Sequence, residues 1–188
     1  MRPLSFVALL AALVLSPITT PHAQQAPAAA PVTPAADAKD VESVDAIIAA
    51  LYDVISGPAG QKRNWDRMRS LFVPNARLIP IAHRPGNPAV ARTLTVEEYI
   101  TLAGASLERD GFFEREIGRV EERFGDMVHA FSTYDSKRTL ADEKPFMRGI
   151  NSIQLMNDGT RWWVVTVFWE SERAGNPLPD RYLNKKQN

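Results

Sequence analysis

The stretch FFEREIGRVEERFGDMVHAFSTYDSK, residues 112–137, decides the fold. Before Gly111 the apolar residues recur at helical spacing. From Phe112 they alternate with polar ones, the period of two that marks a strand with one face covered. Gly125-Asp126 breaks the alternation with a two-residue turn, glycine first, which suits a type II′ hairpin and sets a register. Counting outward pairs Phe124 with Met127, Glu122 with His129, Val120 with Phe131 and Glu116 with Asp135. Those residues share a face with Phe112 and Thr133, an apolar surface carrying a few ionisable groups. Arg115, Arg119, Glu121 and Arg123 fall on the other face beside Ile117, Val128 and Tyr134, and that face reads as mainly solvated.

Downstream, alternation resumes over 146–157 and 160–172, and Asp158-Gly159 suits a type I′ turn. The same count pairs Arg148 with Trp169, Ile150 with Val167 and Asn151 with Thr166. WWVVTVFW, residues 162–169, is apolar on both faces, so both are expected to be covered. Helices cover one. A homodimer partner packed on the sheet is expected over the other, since a domain of about 130 residues rarely supplies two helical layers. The tail 174–188 is the alternative cover.

Upstream, Val44, Ile47, Ile48, Leu51 and Ile55 form one helical face that Gly57-Pro58 ends, with Tyr52 beside the stripe. Asn64 caps a short second helix carrying Trp65, Met68, Leu71 and Phe72, and Pro74 closes it. Residues 76–83 read as a strand that Pro80 confines to an edge or bulge. Thr95 and Glu98 make a capping box for a third helix to about Asp110, with Tyr99, Ile100, Ala103 and Leu107 inward.

This order of elements, with Leu71-Phe72-Val73-Pro74-Asn75-Ala76-Arg77-Leu78 and the Gly149–Leu155 strand leading through Asp158-Gly159 to Trp162-Trp163, resembles the nuclear transport factor 2-like superfamily, including its SnoaL-like and ketosteroid-isomerase-like members. The likeness covers roughly residues 41–173 and is closer to uncharacterised exported members than to the ketosteroid-isomerase branch. It implies an α+β fold of the cystatin-like kind, a cone-shaped, curved, antiparallel or mixed sheet wrapped around N-terminal helices, often dimeric, with a pocket between helices and sheet. Relatives include isomerases, dehydratases and plain binders, so the resemblance leaves enzyme against binder open. The ketosteroid-isomerase branch uses a tyrosine on the first helix, a position Tyr52 matches. Its aspartate falls near Pro80, where Leu78-Ile79-Pro80-Ile81 holds no carboxylate.

The 188 residues carry 22 Lys+Arg against 22 Asp+Glu and no Cys. The balance gives no electrostatic reason to expect nucleic acid, and zero cysteine removes disulfides, thiolate nucleophiles and Cys-based metal sites. Met1-Arg2, the apolar run 6–15 and the small-residue stretch ending at Ala23 read as a cleaved secretory signal, 1–23, with Ala26 as a competing cleavage point. A run of ten apolar residues is well short of the roughly 20 needed to span a bilayer, so no membrane anchor is expected in the mature chain. Residues 24–40 hold seven Ala and three Pro and read as a disordered linker. Residues 41–173 are the expected domain and 174–188 its tail. Export without cysteine fits the periplasm.

Only His83 and His129 follow the signal, so no metal site is expected, and no cofactor. Glu116 opposite Asp135 would raise one carboxyl's pKa, and Glu122 opposite His129 would orient an imidazole; Glu116 and His129 are the candidate acid-base groups. Tyr52, Trp65, Tyr99, Arg148, Asn151 and Trp169 are the candidate ligand-binding residues, Arg148 stacked on Trp169. The expected function is binding of a small, partly apolar ligand by an exported protein; the alternative is a cofactor-independent isomerase or lyase of the dehydratase type.

Overall fold

The computed structural model describes residues 33–84 and 86–183. The expected signal and most of the Ala/Pro-rich linker lie outside the described residues. The elements are α1 (Ala38–Val41), α2 (Val44–Ile55), α3 (Trp65–Leu71), β1 (Phe72–Ala82), β2 (Val90–Ala91), α4 (Val96–Asp110), β3 (Phe113–Phe124), β4 (Met127–Lys137), β5 (Met147–Asn157) and β6 (Trp162–Ser171), followed by a 3-10 turn, Asp180–Tyr182. Among the described residues no helix is long and apolar enough to cross a membrane.

Each long helix starts where a side chain takes up a free backbone N–H. Ser43 Oγ accepts from Ala46 N at 3.0 Å, Asn64 Oδ1 from Arg67 N at 2.9 Å, and Thr95 with Glu98 forms the expected capping box. Helix ends are tied together as well. The buried Arg63 guanidinium donates to Ile55 O at the end of α2 and to Leu107 O near the end of α4, at 3.1 and 2.9 Å. Carbonyls that lack helical partners are satisfied by one cation.

Order begins earlier than the expected boundary at residue 41. Asp40 is buried and its carboxylate accepts from Arg67 Nε and Nη2 at 2.7 and 3.0 Å, which fixes α1 to α3. A bidentate charged pair supplies the anchoring that residues 24–40 lack in apolar side chains.

The six strands form one curved, open sheet of order β2-β1-β6-β5-β4-β3, with β1 and β6 parallel and all other pairs antiparallel. Ile47, Ile48 and Leu51 of α2 with Met68 and Leu71 of α3 pack onto Val128, Ala130, Ile153, Leu155 and Val164 of the sheet. The inner face therefore carries the even-numbered residues of β4. The face expected to be inner, with His129, Phe131 and Thr133, is the outer one.

Two bulges explain the register differences. At the first hairpin Phe124↔Met127, Glu122↔His129 and Val120↔Phe131 pair as counted, but Ile117 is extra. Beyond it Arg115 opposes Asp135 and Glu116 opposes Tyr134. One added residue exchanges faces, so Glu114 and Glu116 turn inward while His129 stays outside. In the second hairpin Asn157 pairs with Trp162, so the loop holds four residues rather than two, and Val165 adds a bulge. Asp158 builds that loop by accepting from Thr160 N and Arg161 N at 2.8 and 2.9 Å. Asn151 consequently faces Trp169 instead of Thr166, and Ile153 rather than Ile150 meets Val167.

The tail covers part of the outer face. Tyr182 meets Phe131 with ring centroids 5.0 Å apart, its carbonyl accepts from Thr133 Oγ1 at 2.7 Å, and Leu178 N donates to Glu172 at 3.1 Å. Between residues 176–182 and Phe131, Ile150, Phe168 and Trp169 lies a chamber of about 300 Å³.

Candidate functional site

The hollow between helices and inner sheet face has a volume of about 220 Å³. Leu51, Ile55, Met68, Leu107 and Val167 give it apolar walls, and Tyr52, Tyr99, Glu114, Tyr134, Asn151 and Trp169 supply its polar and aromatic groups. Tyr99 and Trp169 meet edge to face, centroids 6.2 Å apart. A wider cleft of about 560 Å³, running past Asp45, Glu116 and Arg119, shares Tyr52 and Glu114 with the hollow, so the two spaces meet at that pair.

Glu114 is the group on which the electrostatics centre. Glu114 is half-buried where the hollow meets the cleft; loss of solvation pushes its pKa up to about 7, against hydrogen bonds from Ser136 and Asn151 that act the other way. Ser136 Oγ donates to Oε2 at 2.8 Å, whereas Oε1 has one long contact, 3.5 Å from Asn151 Nδ2. The phenols of Tyr52 and Tyr99 titrate well above their ordinary range, first through burial and then through the nearby Glu114 charge. Burial and the same carboxylate push Tyr134 up to about 12.

A directed chain of hydrogen bonds leads from the hollow to the cleft. Arg119 donates to both Glu116 oxygens at 2.8 Å, keeping that group an acceptor. Ser132 Oγ donates to Glu116 Oε1 at 2.6 Å, so the Tyr52 hydroxyl, 2.7 Å from Ser132 Oγ, donates to the serine. Asn151 Nδ2 then donates to Tyr52 Oη at 3.1 Å. A hydroxyl has one proton, so fixing the last acceptor fixes every donor behind it.

Of the residues expected at the site, Tyr52, Tyr99, Asn151 and Trp169 line the hollow, and Glu116 lines the cleft. Three lie elsewhere. His129 is on the outer face, 2.9 Å from Ser152 Oγ, because the even-numbered β4 residues point inward. Arg148 is also outside, held by Glu172 at 2.8 and 3.0 Å, since the longer loop and the bulge move Trp169 away from it. Trp65 packs between α3 and α4, where its Nε1 donates to Glu108 at 3.1 Å and its ring lies against Gly104. Glu116 does not face Asp135, which pairs with Arg115 at 2.9 Å.

Glu114, Tyr134, Ser132 and Ser136 were missed. Their signal was the row Ser132, Tyr134, Ser136 on alternate residues of β4, hydroxyls without charge that suit a covered face as well as an exposed one.

Helices enclosed by a curved mixed sheet, with β1 parallel to β6 and β3 and β2 as open edges, are the cone that the sequence resemblance implies. The fold is α+β, a curved, unclosed mixed sheet with helices, consistent with the class that the resemblance implies. Solved structures similar to the chain include an NTF-2-like protein of unknown function from Silicibacter pomeroyi, at TM-score 0.46 and 10% identity, covering 70% of this chain and 94% of that one. An NTF2-like protein of unknown function from Methylobacillus flagellatus has TM-score 0.44 and 12% identity, covering 70% and 95%. The Kfla4162 protein from Kribbella flavida has TM-score 0.41 and 15% identity, covering 60% and 82%. Such likenesses supply no residue role, substrate or reaction. No family model and no curated protein matches the chain.

Proposed function

We propose that the protein binds a small, partly apolar molecule in the hollow between α2, α4 and the inner sheet face. The observation that supports this is the wall itself: apolar side chains surround a space of about 220 Å³ and one carboxyl, Glu114, that has lost part of its solvation. Such a concave, mainly apolar space with few polar groups is what small-molecule recognition uses. Screening small fragments by ligand-observed NMR against the unmodified protein and Val167→Phe, which fills the space, tests it. Fragments are expected to bind the first and be lost from the second; equal behaviour toward every fragment sinks the reading.

The rival, a cofactor-independent isomerase or lyase, gains from the same group. A carboxyl titrating near 7 takes and returns a proton at neutral pH more readily than one near its ordinary value, and Tyr99 O–H would stabilise a developing oxyanion. In this reading Glu114 takes the acid-base role expected of Glu116 and His129. Carbon-bound hydrogen exchange in an enolisable ketone, abolished by Glu114→Gln, is its test.

We place the protein in the periplasm after removal of residues 1–23. Self-association through the part of the outer face left open by the tail completes the proposal. Phe124, Met127 and Met156 form a row there, 82%, 55% and 39% exposed.

A further inference from the structure

We infer that the molecule held in the hollow is a neutral, single-ring hydroxy compound whose O–H donates to Oε1 of Glu114. The inference rests on the binding reading above and narrows it to a class. Size comes first. An apolar cavity of about 150 Å³ holds benzene, so about 220 Å³ suits one ring with a short substituent.

Polarity decides the substituent. Donors around the hollow are largely engaged within the protein: Asn151 Nδ2 toward Tyr52 and Glu114, Ser136 toward Glu114, and Tyr52 toward Ser132. Glu114 Oε1, with its single 3.5 Å contact, is the acceptor left open. The Tyr99 hydroxyl makes no hydrogen bond among the described residues and lies near enough to Glu114 to feel its charge. A hydroxyl both donates and accepts, so it meets Oε1 in either protonation state beside an uncommitted phenol, whereas a ketone or an ether is met only by the protonated form.

Charge excludes the remaining classes. Among the described residues no Lys, Arg or His lines the hollow, so an anion would meet Glu114 without a counter-ion. An ammonium would lose its hydration against apolar walls, offset by one carboxylate that desolvation keeps partly protonated at neutral pH.

Calorimetric titration of the full chain at pH 7 with phenol, anisole, toluene, benzoate and benzylamine tests the class. Phenol is expected to bind about tenfold or more tighter than anisole and toluene, with benzoate and benzylamine weakest. Glu114→Gln should weaken phenol while leaving toluene unchanged, and His129→Ala on the outer face should change neither. Equal binding of phenol, anisole and toluene overturns the hydroxy class and leaves the binding reading standing. Benzylamine or benzoate above phenol overturns the neutral class. Failure of all five to bind overturns both readings. A Glu114→Gln chain that loses toluene as well has lost its hollow, and the five-ligand series on the unmodified protein then decides alone.

Discussion

Glu114 couples the site to the stability of the protein. Its pKa rises from an ordinary 4.5 to about 7 on folding, so between those values the folded chain holds more proton than the unfolded one. Its contribution is therefore fully present below about pH 4.5 and is lost as pH climbs through about 7, amounting to roughly 3 kcal/mol at most. Thermal melts at pH 5 and pH 8 should show a drop in Tm for the unmodified protein and a smaller one for Glu114→Gln; equal drops would mean that Glu114 is solvated. Tyr52 lends itself to a second test. Tyr52→Phe leaves Asn151 Nδ2 and Ser132 Oγ without their common partner and is expected to destabilise by about 1–3 kcal/mol, read from urea denaturation, while the ring keeps filling its place.

Among the elements, β5 depends on having no side chain at Gly149. A Cβ there would meet the Glu170 carbonyl and the Tyr134 phenol, which lies across the strand with its hydroxyl 3.1 Å from Ser171 Oγ. Gly149→Ala is expected to cost about 1–3 kcal/mol and to loosen Tyr134, measurable as a lower denaturation midpoint. The element scale is also where sequence reading succeeds and then stops. Helix starts at Asn64 and Thr95 and the turn at Gly125-Asp126 are local chemistry, and each is legible in a few residues. Ile117 and Val165 are not: nothing in their own side chains distinguishes a bulged residue from a paired one, yet each exchanges the faces of everything beyond it. Glu114 was passed over although the count put it on the expected inner face with Phe112 and Glu116, and Arg148 was placed beside Trp169 because neither the four-residue loop nor the bulge at Val165 was legible. Choice of the inner face failed differently. Phe131 and His129 looked like interior groups against Ser132 and Ser136, but the small hydroxyls fit under α2 and the bulky Phe131 has the tail over it.

For the whole molecule, the cover of the outer face was expected from a second copy, and the tail supplies part of it. Deleting residues 174–188 should bare Phe131, Ile150 and Phe168 and raise binding of a hydrophobic dye; no change would mean that the tail does not shield them. Light scattering of the full chain is expected to give twice the chain mass of 20.9 kDa if Phe124, Met127 and Met156 join two copies, and Met127→Glu should return it to one. Trp169 belongs to both sides of the sheet, bordering the hollow within and the tail chamber without. A single indole thus forms a party wall between two rooms, and its emission answers to a tenant in either. A chain with an empty interior and an intact tail, and one with the reverse, would differ in colour before any chemistry is known.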